Sequence, residues 1–323
     1  MNIPFDSPMA SDINSRIAEH MYFAALEQSC ELAKVDGPYQ TFKGSPASNG
    51  ILQFHLWDQE DKEFAARYAQ KGEEGQKQQQ QHQRIGKTHL TIEMDKWDEL
   101  IDKIKKFGLR NSLLVAPMPT VSTSQMLGNA ECFEPFYSNM YGGRTLSGEF
   151  LIVNKYLVRK LASLGLWNET MRQRIIAENG SVQNILEIPQ EVREVFKTAF
   201  EIKQKVLMNL AVARGRFVCQ SQSFSLFFTN PNPQILSSAF MYAWKEGLKT
   251  GMYYLRTKAA ADPIKFTLTI NNPDTSSTNT STSTTATASS CIRKSKTNKS
   301  SSPSSSTSEE DKNDEYSCES CSA

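Results

Sequence analysis

The sequence predicts an α/β fold, with a largely parallel sheet covered by helices and followed by a tail that has no core. Three observations carry this. Short apolar runs rich in strand formers recur along the chain. Segments of helical period separate them, and strand–helix–strand alternation with apolar strands is the signature of a parallel sheet under helices. Near Asn271 the composition then shifts abruptly to Ser and Thr, with almost no large apolar residues. Such a segment cannot offset its chain entropy by burial.

The elements follow in order. Ser11 or Asp12 caps a first helix whose apolar face runs Ile13, Ile17, Met21, Ala24 and Leu32 and which ends near Gly37. A second helix carries Trp97, Leu100, Ile101, Ile104 and Phe107, stops at Gly108, and leads into a buried strand over Ser112–Ala116. Phe150–Val153 reads as a strand, followed by a helix through Tyr156, Leu157 and Leu161. A long amphipathic helix is expected from Pro189 to Ala213, with Pro189 in its first turn and Val192, Phe196, Ala199, Phe200 and Val206 on one face. Phe224–Phe228 is the next strand, Ile235–Leu248 the next helix, and Gly251–Leu255 the last strand. Residues 72–90, which contain GEEGQKQQQQHQRIGK, read as a Gln-rich surface-loop insertion. The domain is thus 1–270 and the tail 271–323.

Bulk properties exclude several classes. Lys+Arg number 36 and Asp+Glu 35, so no global field points to nucleic acid. No apolar run approaches the roughly 18 residues of a membrane span, and the N-terminus lacks the basic-then-apolar pattern of a secretory signal. Six cysteines, four of them scattered, do not form a disulfide framework. A reducing, cytoplasmic compartment follows, and the Asn-x-Ser/Thr matches at Asn168, Asn179 and Asn279 are chance.

Three segments carry chemistry. Ala116–Gln125 leaves the end of a strand, packs hydroxyls around Thr120, Ser122 and Thr123, and starts a helix. Hydroxyls with free amides at a helix N-terminus suit an anion such as phosphate, although an unliganded Ser/Thr-rich cap is the commoner source of such a run. Tyr253 and Tyr254 are neighbours on the last strand and should face opposite sides of the sheet, with two half-buried strand tyrosines as the ordinary reading. Cys318 and Cys321 form a Cys-x-x-Cys pair that can close reversibly into a disulfide. Zinc needs four ligands, and the tail adds only Cys291 and no His, so no metal site is expected. Cys30 and Cys219 read as packed thiols, Cys132 has no His nearby in sequence, and His20, His55, His82 and His89 show no ligand spacing.

Longer motifs identify a relative. Ala-Pro-Met-Pro-Thr-Val-Ser-Thr at 116–123, Gln-Met-Leu-Gly-Asn at 125–129, Leu-Ser-Gly-Glu-Phe at 146–150, Gln-Ser-Gln-Ser at 220–223, Lys-Thr-Gly-Met-Tyr-Tyr-Leu-Arg-Thr at 249–257 and Ala-Ala-Asp-Pro-Ile-Lys-Phe-Thr-Leu at 260–268 occur in order. With Gly-Pro-Tyr-Gln-Thr-Phe at 37–42 they resemble the C-terminal part of the large, catalytic subunit of class I ribonucleotide reductases of eukaryotic and viral type. The resemblance covers about residues 4–269, apart from the Gln-rich insertion.

That resemblance implies the C-terminal part of a ten-stranded α/β barrel that reduces ribonucleoside diphosphates by radical chemistry. It implies that Pro119, Thr120, Val121, Ser122 and Thr123 hold the substrate phosphates. Tyr253 and Tyr254 would relay the radical, and Cys318 and Cys321 would shuttle reducing equivalents from thioredoxin or glutaredoxin. The implied partners are the small subunit, whose metal-generated radical is required, and a second large subunit. No cofactor is bound directly, and the ATP and dNTP effectors bind residues upstream of this sequence. The family's radical cysteine sits in Asn-x-Cys-x-Glu, and no such motif stands here. A non-catalytic decoy that binds the small subunit is the alternative. Mixed with small subunit, reductant and effector, the chain alone is therefore expected to form no deoxynucleotide; measurable turnover would overturn this.

Overall fold

A computed structural model describes residues 1–69, 90–145 and 148–258. The Gln-rich insertion up to residue 89, the motif at 260–268 and the tail with Cys291, Cys318 and Cys321 lie outside the described residues.

Helix α1 runs Pro8–Asp36, one turn earlier than expected. Its cap is Ser7, whose hydroxyl accepts the Ala10 N–H at 3.2 Å, and Pro8 fills the first-turn position that needs no donor. It ends at Gly37, whose φ of 76° suits glycine. The buried face differs from expectation. Ala18, Tyr22, Leu26, Cys30 and Ala33 pack inward, while Ile17, Met21 and Leu32 are exposed. Two apolar stripes compete on this helix, and contact with the indole of Trp97 selects the one carrying Tyr22.

Helix α2 follows at Gln53–Ala69, and α3 at Met94–Phe107 buries Trp97, Leu100, Ile101 and Ile104 as expected. Glu19 is 1% exposed on α1. Its carboxylate accepts N–H bonds from Thr91 at 2.9 Å and Ile92 at 3.0 Å, the Trp97 indole N–H at 3.4 Å, and the Thr91 hydroxyl. A buried charge is tolerable only with such a full set of donors. It ties the chain returning at residue 90 to α1 and α3.

After the short helix α4, Val121–Leu127, the chain forms an antiparallel hairpin of β1, Met140–Thr145, and β2, Gly148–Val153, in the register Met140↔Val153. The expected strand at Phe150–Val153 exists, but it pairs within this hairpin and not in a parallel sheet. Helices α5, Lys155–Ser163, and α6, Glu169–Ala177, are capped by Asn154 and Asn168. Their Leu157, Leu161, Met171 and Ile175 share a core with Ile185, Ile188 and Val192.

The long helix expected over 189–213 is two helices, α7 at Gln190–Val195 and α8 at Gln204–Gly215, and Pro189 is the cap residue rather than in the first turn. Tertiary acceptors divide them. The Ala199 N–H donates to the Phe136 carbonyl at 2.9 Å, the Thr198 N–H to the Glu201 carboxylate at 2.7 Å, and the Gln204 amide to the Ala199 and Ile202 carbonyls.

β3, Leu226–Phe227, and β4, Leu255–Arg256, pair in parallel, with α9, Pro233–Lys245, between them. Both strands are shorter than expected. Ser112–Ala116 is neither buried nor a regular strand, yet it runs alongside this pair: the Val115 carbonyl accepts the Cys219 N–H and the Pro117 carbonyl the Ser223 N–H, each at 3.0 Å. The half-buried state of Val115 and the exposure of Leu113 show that apolar type alone did not set burial there.

Where the hairpin meets α6, Gly180 has φ 82°, and a Cβ there would lie 1.9 Å from the Ser138 hydroxyl oxygen and 2.8 Å from the Met140 nitrogen. Gly180→Ala is expected to cost about 2–4 kcal/mol through strain and overpacking, read as a lower urea midpoint. A midpoint within error of the parent would contradict this packing.

Candidate functional site

The site is built on three backbone lanes, 115–117, 219–228 and 253–256. The Tyr253 N–H donates to the Phe224 carbonyl at 2.7 Å, the Leu226 N–H to the Tyr254 carbonyl at 3.0 Å, and the Phe228 N–H to the Arg256 carbonyl at 3.0 Å. The loop of residues 118–132 leaves the first lane, and the tyrosines lead into the third.

Within that loop, Pro119, Thr120, Val121, Ser122 and Thr123 lie together at the start of α4. Thr120 occupies the cap position but makes no capping bond. Its hydroxyl oxygen instead accepts the Cys132 N–H at 2.7 Å. Ser124 is buried and donates to the Val121 carbonyl at 2.9 Å. The first-turn amides of Val121, Ser122 and Thr123 have no intrahelical acceptor by construction, and the Ser122 and Thr123 hydroxyls are exposed beside them. Amides and hydroxyls in this arrangement suit an anionic oxygen ligand. At the other end of α4, Lys155 donates to the Leu127 carbonyl at 2.6 Å and the Tyr156 hydroxyl to the Asn129 side chain at 2.8 Å.

Cys132 takes left-handed backbone, φ 49°, which an L residue adopts only when its surroundings hold it there. Its thiol is pushed up chiefly by burial. Burial thus favours the protonated thiol. The same holds for Cys30, buried in the α1–α3 core. The His55 ring accepts the Leu52 N–H and is held below its usual basicity by burial. Among the described residues, no group of three or more His, Cys, Asp or Glu side chains stands at metal-ligating distance, and no helix is long and apolar enough to cross a membrane.

Tyr253 and Tyr254 do not take opposite faces. The chain bends at Tyr253, before regular pairing begins at Leu255, so strand alternation does not apply to the two rings. Their centroids lie 4.1 Å apart with 53° between planes, and the hydroxyl oxygens are 3.3 Å apart. Both residues are a little over 40% exposed. The Tyr253 phenol is pushed up first by its hydrogen bond with Tyr254, which favours its neutral form.

Residues that the sequence motifs did not single out complete the site. Arg256 lies over the Tyr254 ring at 4.7 Å and donates to the Glu131 carboxylate at 2.9 Å. Glu134 is buried and accepts the Ser225 N–H at 2.6 Å. Arg214 is 3% exposed, and burial pushes it down to about 10. It stays charged, with Nε donating to the Gln222 side-chain oxygen at 2.6 Å, a second nitrogen to Asn14 at 3.3 Å, and its plane over Phe133 at 4.9 Å. Gln222, from the motif at 220–223, thus supports a buried cation, and its amide group donates to the Ala211 carbonyl at 2.7 Å. Nothing local in the sequence links Glu131 to Arg256, or Arg214 to Asn14.

Comparison with known proteins agrees with the motifs. The family model "Ribonucleotide reductase, barrel domain" matches residues 1–254. The chain is 52% identical over 268 residues to the ribonucleoside-diphosphate reductase large subunit of Trypanosoma brucei brucei, covering 83% of this chain and 30% of that protein. It is 46% identical over 270 residues to the Arabidopsis thaliana large subunit, covering 83% and 29%. Among solved structures it resembles the Actinobacillus ureae class Id ribonucleotide reductase alpha subunit, with TM-score 0.53 and 25% identity, over 80% of this chain and 36% of that one. The chain therefore spans about 30% of the length of these curated relatives.

Thr120→Val keeps the shape of the cap residue but removes the acceptor of the Cys132 N–H. Hydrogen exchange at the Cys132 amide is expected to quicken about tenfold, the loss of one part-buried hydrogen bond. Unchanged exchange would show that the bond does not hold the loop.

Proposed function

This chain belongs to the ribonucleotide reductase large-subunit family, and on that footing we propose that it supplies the phosphate-holding loop and the radical-relay tyrosines for reducing ribonucleoside diphosphates to 2′-deoxyribonucleoside diphosphates. The relatives support this reading and lend nothing to a non-catalytic decoy. The single observation that carries it is the uncapped start of α4, where three amides and the Ser122 and Thr123 hydroxyls are open to an anion.

The chemistry divides among the residues as follows. The α4 amides and hydroxyls neutralise and orient the diphosphate. At Tyr253 and Tyr254, loss of an electron makes the phenol strongly acidic, so its proton must leave with the electron. A hydroxyl separation of 3.3 Å gives that proton an acceptor on the neighbouring tyrosine. The small subunit's metal-generated radical is the oxidant, and the thiyl-forming cysteine comes from residues outside this sequence. Cys318 and Cys321 carry reducing equivalents from thioredoxin or glutaredoxin, each thiol pair giving two electrons and two protons as it closes to a disulfide. Large-subunit self-association, effector binding outside this sequence and a cytoplasmic setting complete the proposal.

Reconstitution with a polypeptide carrying the upstream part of the subunit and with the small subunit tests it. Tyr254→Phe is expected to abolish deoxynucleotide formation while leaving nucleoside-diphosphate binding intact. Ser122→Ala with Thr123→Val is expected to weaken that binding by about 100-fold or more, two lost charge-assisted hydrogen bonds. Unchanged turnover in the first variant, or unchanged binding in the second, would sink the corresponding half of the proposal.

A further inference from the structure

Arg256 stands two residues after Tyr254, in the short strand β4. Its guanidinium covers the Tyr254 ring at 4.7 Å, a cation–π distance. Its other contact is the Glu131 carboxylate, 2.9 Å away and 125 residues distant in sequence. Glu131 is fixed in turn: the next residue, Cys132, donates its N–H to Thr120, the residue that opens the α4 anion site. A chain of contacts thus runs from the start of α4 through Thr120, Cys132, Glu131 and Arg256 to the Tyr254 ring. The same two charges lie within electrostatic reach of Tyr137, whose ring packs 4.5 Å from that of Tyr141.

We propose that the Arg256–Glu131 ion pair is a positioning clamp that fixes the Tyr254 ring against Tyr253. The inference rests on the relay reading of the two tyrosines. Arg256 and Glu131 are positioning residues, acting through Tyr254. The side chains of the pair are 41% and 25% exposed, and ion pairs at that exposure contribute little to stability. Their effect is on geometry: a half-exposed tyrosine free to change rotamer would not hold its ring 4.1 Å from its neighbour, and hopping between phenols depends steeply on that separation.

The test places 3-fluorotyrosine at position 254 in the full chain and follows its fluorine resonance. The parent should give one displaced resonance. Arg256→Gln and Glu131→Gln should each move it towards the free amino acid value, and the double variant should move it no further. Arg256→Lys should retain part of the displacement. The unfolding midpoint should not change. In the reconstituted reductase, Arg256→Gln should lower kcat about tenfold, the scale of a small misplacement of reacting groups, with the nucleoside-diphosphate KM unchanged. If Tyr254→Phe abolishes turnover while Arg256→Gln leaves both resonance and kcat unchanged, the clamp is refuted and the relay stands. If Tyr254→Phe leaves turnover unchanged, the relay is refuted, and the clamp's functional part falls with it.

Discussion

A buried carboxylate, Glu134, holds the site together. It accepts the Ser225 N–H at 2.6 Å and so joins the loop after α4 to the lane that carries β3. Burial pushes this carboxyl up, and the Ser225 bond opposes that push. On one side of Glu134 in sequence lie Cys132 and Glu131, which reach Thr120 and Arg256. On the other side the Phe136 carbonyl accepts the Ala199 N–H, the bond that helps divide α7 from α8. One loop is thus held from both directions, and the helix that the sequence would continue is broken by the same set of contacts.

The neighbouring polar groups follow the same logic. Arg214 loses hydration on burial, and Gln222 and Asn14 replace part of that shell. Asn139 donates to the Gly180 and Phe196 carbonyls and accepts from Asn154, which also caps α5. Unpaired, any of these groups would carry a full desolvation cost. Paired, they fix where loops meet, more specifically than apolar contacts alone can. The start of α4 stands apart from them: Thr120 makes no capping bond there, and Ser122 and Thr123 are exposed.

Much of the organisation was legible in the sequence because it is local. Periodicity located α3 with Trp97 and Ile104 buried, and Gly37 and Gly108 marked helix ends. The order of motifs pointed to the reductase family, which the relatives bear out. The face of α1, the hairpin partner of Phe150–Val153 and the division of 189–213 were not legible. Two of these depend on a partner far along the chain, Trp97 for α1 and Phe136 for the break before α8, and the third on a strand, β1, that the apolar pattern did not mark.

By itself, then, the sequence determined which residue types stand together in short range, hence the helices, the hydroxyl loop, the adjacent tyrosines and the family. Only the tertiary structure decided that Tyr253 and Tyr254 share one side, that Arg256 meets Glu131, and that Thr120 spends its hydroxyl on Cys132 rather than on its own helix. The physical reason is that periodicity encodes backbone geometry over a few residues. A contact made where the chain bends or returns, 12 residues on for Thr120 and Cys132 or 125 for Glu131 and Arg256, leaves no pattern in either partner.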